Sequence, residues 1–195
     1  APGHTMQVDW AGTKMRLCDP TGGQGSKVSI FVASLPYSGM VFACACADER
    51  QDAWLAAHIR AFEYFGGVAE VIVPDNASTA SNAISAADRN RRVNSTYEEF
   101  LEHYNTAALP ARAKRPKDKA SVEAAVKIVT QNVIHALDGH QCAGIDELNA
   151  KITALVDGIN AAEPFRGNAT SRRALFDQFE RDVLTALPET PWQRT

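Results

Sequence analysis

Two hydrophobic periods divide this chain, and the point where one replaces the other limits the folds it can adopt. Up to residue 47 the chain reads as strands, alternating in the first and continuously apolar in those that follow. Met6, Val8 and Trp10 alternate with Gln7, Asp9 and Ala11. Val28 to Leu35 is β-branched and apolar, Pro36-Tyr37-Ser38-Gly39 makes a turn, and Met40 to Ala47 returns as another buried strand. With a short strand within Lys14 to Cys18, this is an antiparallel start of three or four strands. From Asp48 the period becomes helical. Leu55, Ile59 and Phe62 share one face, Asp48 with Gln51 reads as the cap, and Gly66-Gly67 as the stop.

After the helix the two periods alternate. Val68 to Val73 is a short apolar strand with Pro74-Asp75-Asn76 at its end, and residues 77–87 read as a small, polar loop. Tyr97, Phe100, Leu101 and Tyr104 stripe a helix over about 88–104, and Thr106 to Leu109 reads as a last short strand. A long helix is expected from Lys117 or Asp118 to about Leu137, with Val122, Ala125, Val126, Val129 and Val133 buried. Further helices are expected over Ile145 to Ala161 and Ser171 to Leu184. A strand block followed by alternating strand and helix predicts an α/β fold: a mixed five-stranded sheet with helices on both faces, plus extra C-terminal helices. That order is the order of the ribonuclease H-like fold.

The 195 residues, 45% of them hydrophobic, suffice for one well-buried unit with a small appendage. The expected division is a catalytic core over 1–138 and a helical extension over 139–195. A net charge of −3 excludes coating nucleic acid by bulk charge, so any contact with DNA must come from local clusters. No apolar run approaches the roughly 20 residues that span a bilayer, and no secretory leader is expected, since the first residues carry neither a basic stretch nor an apolar core. The chain opens Ala1-Pro2-Gly3-His4 without an initiator Met and is expected to be a piece of a longer protein. The period of two puts Cys44 and Cys46 on one sheet face, as reduced, buried thiols, and His58 reads as a core histidine.

Three carboxylates stand where this architecture can gather them: Asp9 in the first strand, Asp75 at the end of the fourth, and Glu123 early in the long helix. Mg²⁺ prefers carboxylate and water oxygens, and two such ions about 3.5–4 Å apart can serve the attacking and leaving oxygens of a phosphodiester. Glu123 shares a helical stripe with Lys119 and Lys127, which serve either as surface ion-pair partners or as phosphate contacts. Arg112, Lys114, Arg115, Lys117 and Lys119 form a compact basic run ahead of it.

The flanking residues carry a family resemblance. Gln7-Val8-Asp9-Trp10-Ala11-Gly12 resembles the first-strand motif of DDE transposases and retroviral-type integrases. Val73-Pro74-Asp75-Asn76 resembles their second-Asp motif. His103-Tyr104, Pro110-Ala111-Arg112 and Pro116-Lys117-Asp118-Lys119-Ala120-Ser121-Val122-Glu123 resemble the third-motif region of IstA-type insertion-sequence transposases. The tail from Arg172-Arg173-Ala174-Leu175-Phe176 to Leu187-Pro188 is similar to the segment after their core.

This resemblance implies Asp9, Asp75 and Glu123 as ligands of two Mg²⁺ or Mn²⁺ ions. It implies a DNA contact by Lys127, with Asn76 beside the site, while the basic run offers Lys119, Lys117, Arg115, Lys114 and Arg112 as further phosphate contacts. The implied activity is cleavage of element ends and joining of their 3′-hydroxyls to target DNA. The implied partners are double-stranded DNA, further copies of the protein on that DNA, and an AAA+ ATPase helper; the implied location is the bacterial cytoplasm, at the nucleoid. A nuclease that never joins, or a non-catalytic assembly module of the transposition complex, would share much of this sequence.

Overall fold

The computed structural model describes residues 1–75, 95–109, 111, 117 and 119–195. Its strands are β1 (Thr5–Trp10), β2 (Met15–Arg16), β3 (Lys27–Ser34), β4 (Val41–Cys46), β5 (Val71–Pro74) and β6 (Ala107–Ala108). Its helices are α1 (Gln51–Phe65), α2 (Ser95–His103), α3 (Ala120–Val129), α4 (Ile145–Ala161) and α5 (Arg172–Leu175). The five strands expected from the sequence become six, because β2 pairs with β3 as a two-residue strand of its own. That strand lies where one was expected within Lys14 to Cys18.

β1 is central: it runs antiparallel to β3 and parallel to β5, while β4 and β6 lie at the edges. The mixed sheet with two helical layers is the ribonuclease H-like arrangement. Alternation along β1 sends Met6 and Val8 into the layer with α1, where Phe31, Trp54, Phe62 and Phe100 pack. α3 and α4 cover the other face through Val122, Ala125, Val129, Ile152 and Val156 against Ile30, Val32 and Ala43. Cys44 and Cys46 share the α1 face as free thiols, their Sγ atoms 4.0 Å apart.

His58 is wholly buried among the rings of Phe31, Trp54, Phe62 and Phe100, 4.7–6.2 Å away. Burial lowers its pKa to about 4, so it is a neutral core group whose Nδ1–H donates to the Trp54 carbonyl.

Local expectations shift at several ends. Asp48 does not cap α1; its carboxylate accepts from Arg50 N instead, which closes a turn ahead of the helix. Gly66 does end α1, with φ 74°. Val68 leaves the expected strand to form an isolated antiparallel bridge with Thr185. The part of the second helix expected over 88–94, and the loop over 77–87, lie outside the described residues. The long helix continues past α3 as a π-helical turn, Thr130–Ile134. The last helix divides into α5, a π-helical segment Phe176–Glu180 and a 3₁₀ turn Arg181–Val183.

Residues 139–195 are built into both layers. Phe176 joins the aromatic cluster, and the buried Glu180 carboxylate accepts from Gly3 N and Ser38 N. α4 finishes the edge of β4. The side-chain amide of Asn149 accepts from Ala45 N at 2.6 Å and donates to Ala45 O at 3.1 Å. Asn160 treats Val41 the same way, at 3.0 and 2.8 Å. Two amides about three helical turns apart thus replace a missing strand, and the open edge is sealed. Asn149→Leu leaves one backbone N–H and one carbonyl of β4 buried without partners. It is expected to cost about 2–3 kcal/mol and to lower the melting temperature by roughly 5–10 °C. An unchanged melting curve would refute this account of the edge.

Candidate active site

The two aspartates meet because of strand register. β1 and β5 pair in parallel with Thr5 opposite Val71 and Val8 opposite Pro74. The ladder runs one step further, since Asp75 N donates to Val8 O at 3.0 Å. Asp75 therefore lies beside Asp9, on neighbouring strands whose backbones are about 4.8 Å apart. Pro74 has no N–H to donate, which suits the last position of a strand.

The electrostatics follow from that placement. Burial, then the Asp75 charge, then a hydrogen bond to Asp75 push the Asp9 carboxyl up to about 7; Trp10 N, donating to Asp9 Oδ1 at 2.8 Å, pulls the other way. Lys119 Nζ lies 2.9 Å from Asp75 Oδ1. The hydrogen bond to Asp75 and that carboxylate's charge raise the lysine's own pKa, with smaller contributions from Glu123 and Asp9. A retained proton and an ammonium thus compensate two carboxylates forced together. Their oxygens are of the hard type that Mg²⁺ takes, so the pair fits a divalent cation.

Glu123 sits in the first turn of α3, exposed, one turn beyond Lys119. Its charge reaches the Lys119 ammonium, but it does not close with the aspartates. Among the described residues, no three His, Cys, Asp or Glu side chains stand close enough to hold a metal ion. Two of the three expected carboxylates are brought together, with Lys119 between them and the third. Lys127 is exposed in the last turn of α3, and Lys117 is exposed ahead of it. Asn76, Arg112, Lys114 and Arg115 lie outside the described residues.

One positioning residue escaped the sequence reading. Gln7 is 4% exposed, and its Oε1 accepts from Val122 N at 2.9 Å. Lys119, at the N-cap of α3, has no side-chain capping bond, so a strand residue caps this helix from across the interface. Ser34 and Ser121 add a hydroxyl contact of 2.6 Å. The available signal was the period of two, which puts Gln7 on the same face of β1 as Asp9.

The Asp9 shift has a thermodynamic consequence. Between about pH 4 and pH 7 the folded chain holds a proton on Asp9 that the unfolded chain has released. The stabilisation is full at the acid end and is lost as pH rises through 7. Asp9→Asn removes this dependence while keeping the shape. In metal-free urea titrations, the variant is therefore expected to gain on the wild type between pH 5 and pH 8. A gap that stays constant across that range contradicts the raised pKa.

Comparison with known proteins gives the chain's family and fold. Residues 1–116 match the Integrase core domain family. A protein assigned as a transposase in Sinorhizobium fredii is 36% identical over 192 residues, covering 98% of this chain and 37% of its own length. One assigned as the transposase of insertion sequence IS1162 in Pseudomonas fluorescens is also 36% identical over 192 residues, covering 98% and 34%. The chain thus spans about a third of the length of these relatives. Among solved structures, the catalytic core domain of HTLV-2 integrase in complex with magnesium superposes with TM-score 0.61 at 17% identity. That match covers 89% of this chain and 96% of the viral one. The simian T-cell lymphotropic virus intasome in complex with PP2A regulatory subunit B56 gamma gives 0.66 at 15% identity, over 100% and 60%. These viral structures share the fold, and the family match covers more than half of the sequence: the chain belongs to the Integrase core domain family.

Proposed function

We propose that this chain is the catalytic segment of a DNA transposase, which cleaves element ends and joins the freed 3′-hydroxyls to target DNA. The observation that carries the reading is the contact between Asp9 and Asp75, two carboxylates held together by a parallel ladder at the end of a ribonuclease H-like sheet. In this reading Asp9, Asp75 and Glu123 hold two Mg²⁺ or Mn²⁺ ions. Ions of this kind stabilise charge on the attacking and leaving oxygens of a phosphodiester. Glu123 completes the set once Lys119 exchanges its Asp75 partner for a DNA phosphate. Lys127, one turn beyond Glu123, takes a phosphate on the same stripe, and Lys117 with the basic run before it extends the contact.

No nucleophilic side chain is assigned, because water and then a 3′-hydroxyl attack the phosphorus directly. By its resemblance to IstA-type systems, the complete protein acts as a multimer on two element ends, with an AAA+ ATPase helper presenting target DNA, in the bacterial cytoplasm. Among the described residues, no helix is long and apolar enough to cross a membrane.

Asp9→Asn, Asp75→Asn and Glu123→Gln each remove one metal-binding charge and nearly keep the shape. In the complete protein, each is expected to lower cleavage and joining of an end-bearing duplex by at least about a thousandfold. Affinity for that duplex should stay within about twofold. Calorimetric titration with Mn²⁺ should show a matching loss of metal binding. Normal turnover in one variant removes that residue from the set, and cleavage without joining by the wild type turns the assignment to a nuclease.

A further inference from the structure

A second cationic feature lies on the flank of α3 next to the Lys119–Glu123–Lys127 stripe. A groove of about 350 Å³ runs between α3, the start of β4 and the segment 165–172. Ala120, Ala124 and Ile128 form its floor, and Arg166 and Arg172 form its wall. The guanidinium carbons of Arg166 and Arg172 stand over the Phe165 ring, 4.7 and 4.4 Å from its centroid. The ring itself is fixed by Gly39. That residue has φ 77°, and a Cβ there would meet the ring at 2.5 Å, so only glycine admits this packing.

The two arginines are held but not neutralised. Arg166 donates to the carbonyls of Tyr37 and Pro36 at 2.7 and 2.9 Å, and Arg172 donates to Ile159 O at 3.3 Å. Each guanidinium has roughly five N–H donors, so most remain unspent. Among the described residues neither has a carboxylate partner, and none lines the groove. Burial, and then the charge of Arg166, hold Arg172 below its usual range. Two like charges packed on one ring, in a chain whose net charge is −3, mark a place that gains from an incoming anion.

We propose that this groove binds the DNA sugar–phosphate backbone, with Arg166 and Arg172 as phosphate contacts on the same duplex that α3 presents to the aspartate pair. The inference rests on the transposase reading and adds a site to it. α3 turns about 100° per residue, so the Ala120–Ala124–Ile128 stripe is adjacent to the Lys119–Glu123–Lys127 stripe. Small side chains on that stripe let a backbone lie close to the helix. A continuous polyanion crossing α3 from Lys127 passes over the adjacent stripe and reaches the two arginines. Arginine suits this role because its planar fork matches two phosphate oxygens.

The test is duplex binding by this chain across a salt series, read by fluorescence anisotropy with a labelled duplex of about 40 base pairs. Each lost phosphate contact lowers the slope of log affinity against log salt by about 0.9. The double variant Arg166→Gln, Arg172→Gln is expected to lower it by about 1.8, and the double lysine variant to keep most of it. Ala124→Glu leaves the arginine anchors intact and puts a negative charge on the groove floor. It is expected to weaken binding about fivefold or more relative to Ala124→Gln, with melting temperatures alike. A wild-type slope in the glutamine variant, or equal affinities for Ala124→Glu and Ala124→Gln, overturns the proposal and leaves the arginines as ties to the β3–β4 turn. A change in self-association without a change in DNA affinity overturns it too and assigns the groove to a second copy. Failure of the wild type itself to bind duplex at low salt would count against the transposase reading, which separates the two failures.

Discussion

The parallel ladder between β1 and β5 is the constraint on which the site depends. It sets Asp9 and Asp75 on neighbouring strands with no freedom to separate, at a Coulombic cost to the fold that shows in the raised Asp9 pKa. The fold offsets that cost with packing elsewhere. Met6, Val8 and Ile72 anchor the two strands in the aromatic layer, and Asp9 and Asp75 stand at the active end of the same ladder. In the absence of metal, a proton on Asp9 and the Lys119 ammonium on Asp75 supply the positive charge. In the proposed reading a divalent cation takes the place of these substitutes.

α3 is aligned to that pair from outside its own sequence. Its N-terminal N–H groups find Gln7 on β1 rather than a local cap, and Ser121 meets Ser34 on β3. The buried stripe of Val122, Ala125 and Val129 then locks the helix over the sheet. Glu123 stays on the exposed side of the first turn, where it can move without disturbing the core.

The C-terminal residues serve the same end by closing what the sheet leaves open. Asn149 and Asn160 satisfy the outer edge of β4, Glu180 ties the N-terminal turn to the β3–β4 turn, and Thr185 pairs with Val68. These contacts pack 139–195 against the same core as the residues before it. They also bring Phe165, Arg166 and Arg172 against α3, where no local sequence pattern would place them.

Hydrophobic period and chain order were enough to determine the element types, the two-layered α/β class and the face that Cys44, Cys46 and His58 occupy. These depend on each residue's near neighbours, and near neighbours are what a sequence displays. The first two carboxylates were legible through motif resemblance, since strand ends and turns carry local signatures. The rest was decided only in three dimensions. The Asp9–Asp75 contact depends on a register between strands some sixty residues apart. The cap of α3 comes from Gln7, the edge of β4 from two asparagines, and the partner of Lys119 from another strand. Asp48 shows the limit from the other side: it has the right residue type and spacing for a cap, yet a nearer N–H took its carboxylate. Hydrogen bonds and charge contacts act over a few ångströms, and only the folded chain sets which distant residues come that close.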